Sequence, residues 1–235
     1  MMTSILIGHN LVQAHFMERK NRFLCIVDLE GEFIEVHLHD PGRLKELLLP
    51  GVGVVLRREK SPHRKTGYDM VGIFQKDILI SCDSRVPNRL VQRGLEERAF
   101  PELPAYSTIV PEFTYGNSRL DFCLDSTILL EVKGVTLVTG NHALFPDAPT
   151  KRGRKHLETL IDAAQIGFKS YIMFLIQRPD AVSFSPNTRT DPQFTEALVR
   201  AAHEHVTILA YTSEFKGNCM YLGDPISAIQ LLGMD

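Results

Sequence analysis

The sequence predicts a mixed α/β (α+β) chain in two parts: a small β-barrel over residues 1–84 and a mixed-sheet α/β domain over residues 85–235. Three observations point that way. Short strand-like runs fill the first 82 or so residues, with one short helical pattern among them. After Asp83 the order becomes helix, three strands, helix, strand, helix, strand. Of the 235 residues 44% are hydrophobic, enough for a real core at a length that suits one large domain or two small ones.

In the first part, "RFLCIVDLE" (22–30) and "EFIEVHL" (32–38) flank a Glu30-Gly31 turn and read as a hairpin. "GRLKELLLPG" (42–51) reads as one short helix ended by Pro50-Gly51. "VGVVLRRE", "DMVGIFQ" and "DILISC" complete five or six short strands, the count of a barrel of the oligonucleotide-binding (OB) type. In the second part, "PNRLVQRGLEERAF" (87–100) is a helix with proline in its first turn. "STIVPEFTYG", "SRLDFCL" and "TILLEVKGVTLV" are strands, and "KRGRKHLETLIDAAQIG" (151–167) is a helix closed by Gly167. "KSYIMFLIQR" is apolar enough for a central strand, "DPQFTEALVRAAHEH" is a helix capped by Asp191, and "VTILAYTSE" is a further buried strand.

Composition excludes several classes. The formal net charge is −2, so the chain as a whole lacks the basic excess of many nucleic-acid binders. Cys25, Cys82, Cys123 and Cys219 form no CxxC pair, which argues against a cysteine zinc site and for reduced thiols. The first 22 residues lack a basic stretch followed by a long apolar one, and no run approaches the length of a membrane span. A soluble, cytoplasmic protein is expected. No GxxxxGK[ST] phosphate loop is present, so ATP-driven chemistry is not indicated.

Three charges interrupt the apolar stretch "SRLDFCLDSTILLEVKG" (118–134): Asp121, Glu131 and Lys133. With a turn at Asp125-Ser126-Thr127, Asp121 falls opposite Glu131, and Lys133 lies on the same strand face as Glu131. Two opposed carboxylates repel unless something compensates them. Mg²⁺ or Mn²⁺ shared with a substrate phosphate would do so, while Lys133 would stabilise phosphate charge or help activate water. A salt-bridged cluster on a solvated face is the competing explanation. The flanks are apolar on both parities, as in a strand covered on both sides, and that weighs against it.

Two basic clusters supply candidate phosphate contacts. Lys151, Arg152, Arg154, Lys155 and His156 crowd the start of a helix, where cations oppose the helix dipole unless anions arrive between them. Arg57, Arg58, Arg64 and Lys65 belong to a loop with five Arg/Lys and one Glu, near the aromatic rings of Tyr68 and Phe74. Arg43, just after Gly42, is a further candidate, although His39, Asp40 and Arg43 would equally serve to fix a turn. His156 is either a proton carrier for the acidic cluster or an ordinary helix residue. Gln177 and Arg178 end the central strand, where clefts form in α/β sheets.

The order of helix, three-stranded meander carrying D and E-x-K, helix and strand resembles the PD-(D/E)xK nuclease superfamily. Those nucleases often add an acid from the first helix; here Glu96 or Glu97 would fill that role, with Glu96 favoured, and Glu112 is another possible ligand. Across nearly its whole length the chain also resembles the sugar fermentation stimulation protein A family. "HLHDPGRLKELLLPG" (37–51), "SRVPNRLV" (84–91), "YGNSRLDFCL" (115–124), "LEVKGVTL" (130–137), "FPDAPTKRGRKHLETL" (145–160) and "FSPNTRTDPQF" (184–194) carry that resemblance. Asp40 departs from it, since the family often has Asn there. The resemblance implies an OB-like domain joined to a nuclease-like one, non-specific DNA binding and a regulatory link to maltose metabolism. A divalent-metal-dependent deoxyribonuclease is therefore expected, with a catalytically silent DNA-binding regulator as the alternative. DNA is the expected partner, single- or double-stranded, and a homodimer is possible on this pattern.

Overall fold

Backbone pairing divides the chain into a closed barrel, a large mixed sheet and a small accessory sheet. The structure is a computed structural model, and it describes residues 2–59 and 64–228. β1 (Ser4–Leu6) opens the chain. β2 (Leu11–Asn21), β3 (Leu24–Leu29), β4 (Glu32–Leu38), β5 (Gly53–Arg58), β6 (Tyr68–Gln75) and β7 (Ile78–Ser81) follow. They form one sheet in the order β4-β3-β2-β5-β6-β7, and a parallel pairing of His37 with Asp69 and Leu38 with Met70 joins β4 to β6. Five strands thereby close into the OB barrel, which removes their exposed edges. Inward-facing Phe16, Val27, Val36, Leu38, Leu56 and Met70 fill it.

Two features of the barrel differ from the sequence expectation. β2 is an eleven-residue strand where the sequence showed only a broken apolar run. Only Ala14 and Phe16 along it are buried, so its period-two signal is faint. The helix expected over 42–51 is instead a single turn at Lys45–Leu47. Leu44 takes φ 47°, a left-handed value that breaks helical continuity, and Leu44 and Leu47 both drop into the barrel core.

The second part runs α1 (Val86–Glu96), β8 (Ile109–Tyr115), β9 (Ser118–Leu124), β10 (Ile128–Val135), β11 (Val138–Thr139), β12 (His142–Phe145) and α2 (Lys151–Gln165). It continues with β13 (Lys169–Ile176), β14 (Ser183–Pro186), α3 (Pro192–His203), β15 (Thr207–Lys216), β16 (Cys219–Pro225) and β17 (Ser227–Ala228). The large sheet has the order β1-β16-β15-β13-β10-β9-β8, with β10, β13 and β15 parallel at its centre. β13 is buried along its whole length apart from Lys169, because α1 covers one face of the sheet and α2 and α3 the other. β1, from the segment assigned by sequence to the barrel, pairs antiparallel with β16 through Ser4–Tyr221 and Leu6–Cys219. It satisfies backbone groups that β16 would otherwise leave at a sheet edge. The polar segment 184–194 contributes β14 to the accessory sheet β11-β12-β14-β17. No helix among the described residues is long and apolar enough to cross a membrane.

Candidate functional site

The β9–β10 hairpin creates the site by ending its ladder early. Asp125 and Ser126 turn the chain at φ 47° and 57°, and the Asp125 carboxylate accepts the Ser107 and Thr108 N–H groups. The pairs Leu124–Ile128, Cys123–Leu129 and Phe122–Leu130 follow the register that the spacing predicts. Beyond them the strands part. There Asp121 Oδ2 accepts the Val132 N–H at 2.7 Å, a side chain standing in for a ladder carbonyl. Asp121 Oδ1 accepts Asn88 Nδ2 at 2.6 Å from α1.

Glu131 faces this gap and is 2% exposed. Its Oε1 accepts from Lys133 Nζ and from His156 Nδ1, whereas Oε2 is buried with no hydrogen-bond partner. Arg152 Nε approaches His156 Nε2 at 3.4 Å, so Nε2 is the acceptor and the imidazole carries its proton on Nδ1. Burial would raise the Glu131 carboxyl, but the His156 hydrogen bond and the Lys133 charge outweigh burial and hold it below the ordinary range. Asp121 goes the other way: burial, with the Glu131 charge added, pushes its carboxyl up to about 6.

The donor set suits a hard divalent cation. It offers two carboxylates, one raised by burial and by the other's charge, and one buried oxygen that no donor satisfies. Among the described residues no group of three or more His, Cys, Asp or Glu side chains gathers for a metal. Two carboxylates, with water and phosphate oxygens completing the shell, is the arrangement Mg²⁺ tolerates.

Other residues singled out in the sequence lie elsewhere. Glu96 is two turns along α1 from Asn88, about half exposed and paired with Arg93 at 3.6 Å, so the structure does not bring it to the cluster. Glu97 accepts from Thr3 Oγ1 at 2.7 Å, and Glu112 pairs with Arg119. The helix supplies Asn88 instead, which lies within the stretch "SRVPNRLV" but is not among the site residues singled out in the sequence. Lys151 and Arg152 are exposed at the start of α2, and Lys155 reaches the Asn117 carbonyl at 2.5 Å. Arg154 is held by Asp191 at 2.8 Å, tying α2 to the N-cap of α3.

The barrel loop divides in a similar way. Arg58 and Lys65 are exposed, and residues 60–63 lie outside the described set. Arg57 and Arg64 turn inward onto Asp69, which is 0% exposed and also receives Arg85 from the start of α1 at 3.2 Å. Buried Asp83 binds Arg85 at 2.6 Å, and His39 lies 3.1 Å from Asp69. This network joins barrel to sheet domain. Burial opposes ionisation of Asp69, but Arg64, His39 and Arg57 overcome it and hold its carboxyl far below the usual range. Arg43 is exposed, while its backbone N–H donates to Asp147 at 2.8 Å. Gln177 is buried with Oε1 unpartnered, and Arg178 is clamped by Asp180 at 2.6 and 2.7 Å.

Comparison with known proteins matches this architecture on both sides of the junction. Residues 17–82 match the SfsA N-terminal OB domain, and residues 85–218 match the sugar fermentation stimulation protein RE domain. A sugar fermentation stimulation protein homolog of Clostridium tetani is 42% identical over 96% of this chain and 100% of its own length. One from Alkaliphilus metalliredigens is 40% identical over 92% of this chain and 93% of its own. The structure of Pyrococcus furiosus SfsA in complex with Ca²⁺ superposes with a TM-score of 0.88 at 28% identity, covering 97% of this chain and 100% of that one. The chain belongs to the sugar fermentation stimulation protein (SfsA) family.

Proposed function

We propose that this chain binds DNA with little sequence preference and hydrolyses phosphodiester bonds with the aid of Mg²⁺ or Mn²⁺ held by Asp121 and Glu131. The observation that carries the reading is the strand gap itself. Two carboxylates lie there, close enough for the Glu131 charge to help raise Asp121, Glu131 Oε2 lacks any donor, and a lysine stands beside it. The related Pyrococcus furiosus protein was solved with Ca²⁺, an ion of the same oxygen-ligand preference.

A bound divalent ion would supply Lewis acidity to a phosphate oxygen and acidify water. The chain's own residues do the rest. Asn88 and the Val132 N–H orient Asp121 from two elements. His156 holds Glu131 by one oxygen and leaves Oε2 unpartnered, the atom that would hold an ion. Lys133, once a phosphate competes for its ammonium, offsets charge on the reacting group. The water oxygen bonds to phosphorus, a P–O ester bond breaks, and the water's proton ends on the departing oxygen. Exposed Arg43, Arg58, Lys65, Lys151, Arg152 and Lys155 supply the sequence-blind phosphate contacts.

A second reading, DNA binding without cleavage, draws on the Lys133 ammonium being engaged by Glu131 and only 14% exposed. Incubation of single- and double-stranded DNA with the protein, with and without Mn²⁺, separates the two. Metal-dependent cleavage that Glu131→Ala abolishes supports the nuclease. Inert wild type that still binds DNA selects the second reading.

A further inference from the structure

We propose that a cleft at the barrel–sheet junction holds one unpaired nucleobase, adenine or cytosine in preference to thymine, with its phosphates on a basic rim outside. This rests on the DNA-binding reading above. The cleft measures about 270 Å³ and is bordered by Asp40, Gly134, Phe145, Pro146, Asp147 and Gln177. That volume falls below the range of about 300–1,000 Å³ usual for drug-sized ligands, and a duplex does not enter it. Gly134 is the β10 residue after Lys133, and none of Asp121, Glu131 and Lys133 borders the cleft, so it is a separate hollow from the candidate metal site.

Its walls are built to keep it open. A carbon added at Gly42 would lie 2.8 Å from both Asp40 Oδ1 and Asp147 Oδ2. One added at Gly134 would meet Pro87 at 2.8 Å and Gln177 Nε2 at 3.2 Å. The lip at residues 40–43 is fixed by Arg19, whose guanidinium donates to the carbonyls of Asp40 (2.9 Å), Gly42 (2.8 Å) and Arg43 (2.9 Å). Phe145 offers a planar wall and is itself braced by the rings of Phe174 at 5.5 Å and Phe194 at 5.2 Å.

The polar groups define the occupant. Each carboxylate spends one oxygen on a backbone N–H, Asp40 on Gly42 at 2.7 Å and Asp147 on Arg43 at 2.8 Å. Gln177 is 1% exposed, and its Oε1 has no partner. Carboxylates repel a phosphate but accept from an exocyclic amino group: a carboxylate suits cytosine N4, and a glutamine suits adenine N6 and N7. Thymine has no exocyclic amino group and would present O4, an acceptor, to the acceptor-only carboxylates. Outside the cleft the sign reverses. Arg43 borders two adjoining hollows, one with Arg22 and Lys45 and the other with Arg189. All four are exposed, and among the described residues none is paired with an acid. An acidic floor inside a basic rim matches a nucleotide with its base inserted and its phosphates outside.

The test is fluorescence anisotropy of labelled dA, dC and dT homopolymers of equal length, with EDTA present so that cleavage plays no part. Wild type is expected to bind dA and dC about tenfold more tightly than dT. Gln177→Leu, which keeps volume and removes the unpartnered oxygen, and separately Asp147→Asn, should each bring that ratio towards about twofold. Thermal unfolding of each variant checks that it is folded, and two substitutions guard against one that is not. Equal affinities in wild type, or a preference that survives both substitutions, overturn the proposal. Failure to bind any oligonucleotide overturns it together with the DNA-binding reading. A wild-type preference that the substitutions reduce, together with no cleavage in the separate Mn²⁺ incubation, supports this proposal and sinks only the nuclease.

Discussion

Asn88 donates to Asp121 at 2.6 Å, so the first helix shares with the hairpin in deciding how that carboxylate is turned. The other oxygen is fixed by the Val132 N–H. Asn88 is thus a positioning residue. Asn88→Ala leaves Asp121 held from one side only. Groups that orient a metal ligand commonly matter by about 10–100-fold in metal affinity or activity. Titrating Mn²⁺ against cleavage rate should show half-activation shifted upward by at least about tenfold, with DNA affinity in EDTA unaltered. A shift in DNA affinity alone would show that Asn88 contacts substrate instead.

Asp121 bears the cost of burial, with the Glu131 charge added. Its carboxyl titrates at about 6, above the 3.8 of an ordinary aspartate, so the folded chain favours the neutral form. That contribution to stability is complete below about 4 and is lost as pH rises through about 6. Asp121→Asn imitates the neutral form at every pH. The metal-free variant should be more stable than wild type by about 1–3 kcal/mol at pH 7.5, with the difference closing near pH 4. Urea unfolding at the two pH values measures this. Added Mn²⁺ should stabilise wild type and not the variant, and cleavage should be lost.

The domain junction has the opposite sign. Asp69 is held below the ordinary range by Arg64, His39 and Arg57, despite the burial that opposes it. Its stabilisation is therefore present above about 4 and lost as pH falls through its depressed folded value. Asp69→Asn strands three guanidinium groups around a neutral amide. Breaking one partner of a buried ion cluster commonly costs about 3–5 kcal/mol. Denaturant unfolding at neutral pH should show a loss of that size, shrinking in strong acid where wild-type Asp69 is itself protonated. An equal deficit at both pH values would mean that packing, not charge, explains it.

Much of this architecture was legible because the relevant signals are local. The hairpin register follows from one turn, the start of α1 follows from Pro87, and the capped start of α3 follows from Asp191 and Pro192. Apolar runs on both parities marked β10 and β13 as central strands. What escaped depends on distant partners. β1 is defined by β16, more than two hundred residues away, and β14 by β12. Asn88 reads as an unremarkable helix residue until α1 is laid over the strand gap. Leu44 and Leu47 suit either a helix or a barrel plug, and the backbone at Leu44 decides between them. Within one basic loop, Arg57 and Arg58 look alike, yet alternation sends one inward to Asp69 and the other to solvent.

That distinction between arginines gives a last expectation. Arg43 is exposed on the rim shared by the two basic hollows, with no acid partner among the described residues, so its charge is available to a phosphate. Arg57 is spent on Asp69 at 2.8 Å and Glu59 at 2.9 Å. Arg43→Ala should weaken binding of every DNA sequence alike and reduce the slope of log affinity against log salt by about 1, the mark of one lost phosphate contact. Its unfolding midpoint should stay near that of wild type. Arg57→Ala should do the reverse, lowering the midpoint through the uncompensated junction carboxylates and leaving the salt slope of the folded fraction unchanged. Salt titrations by anisotropy, paired with denaturant curves, read both. If Arg57→Ala lowers the salt slope as Arg43→Ala does, the junction network opens when DNA binds, and Arg57 turns outward to meet it.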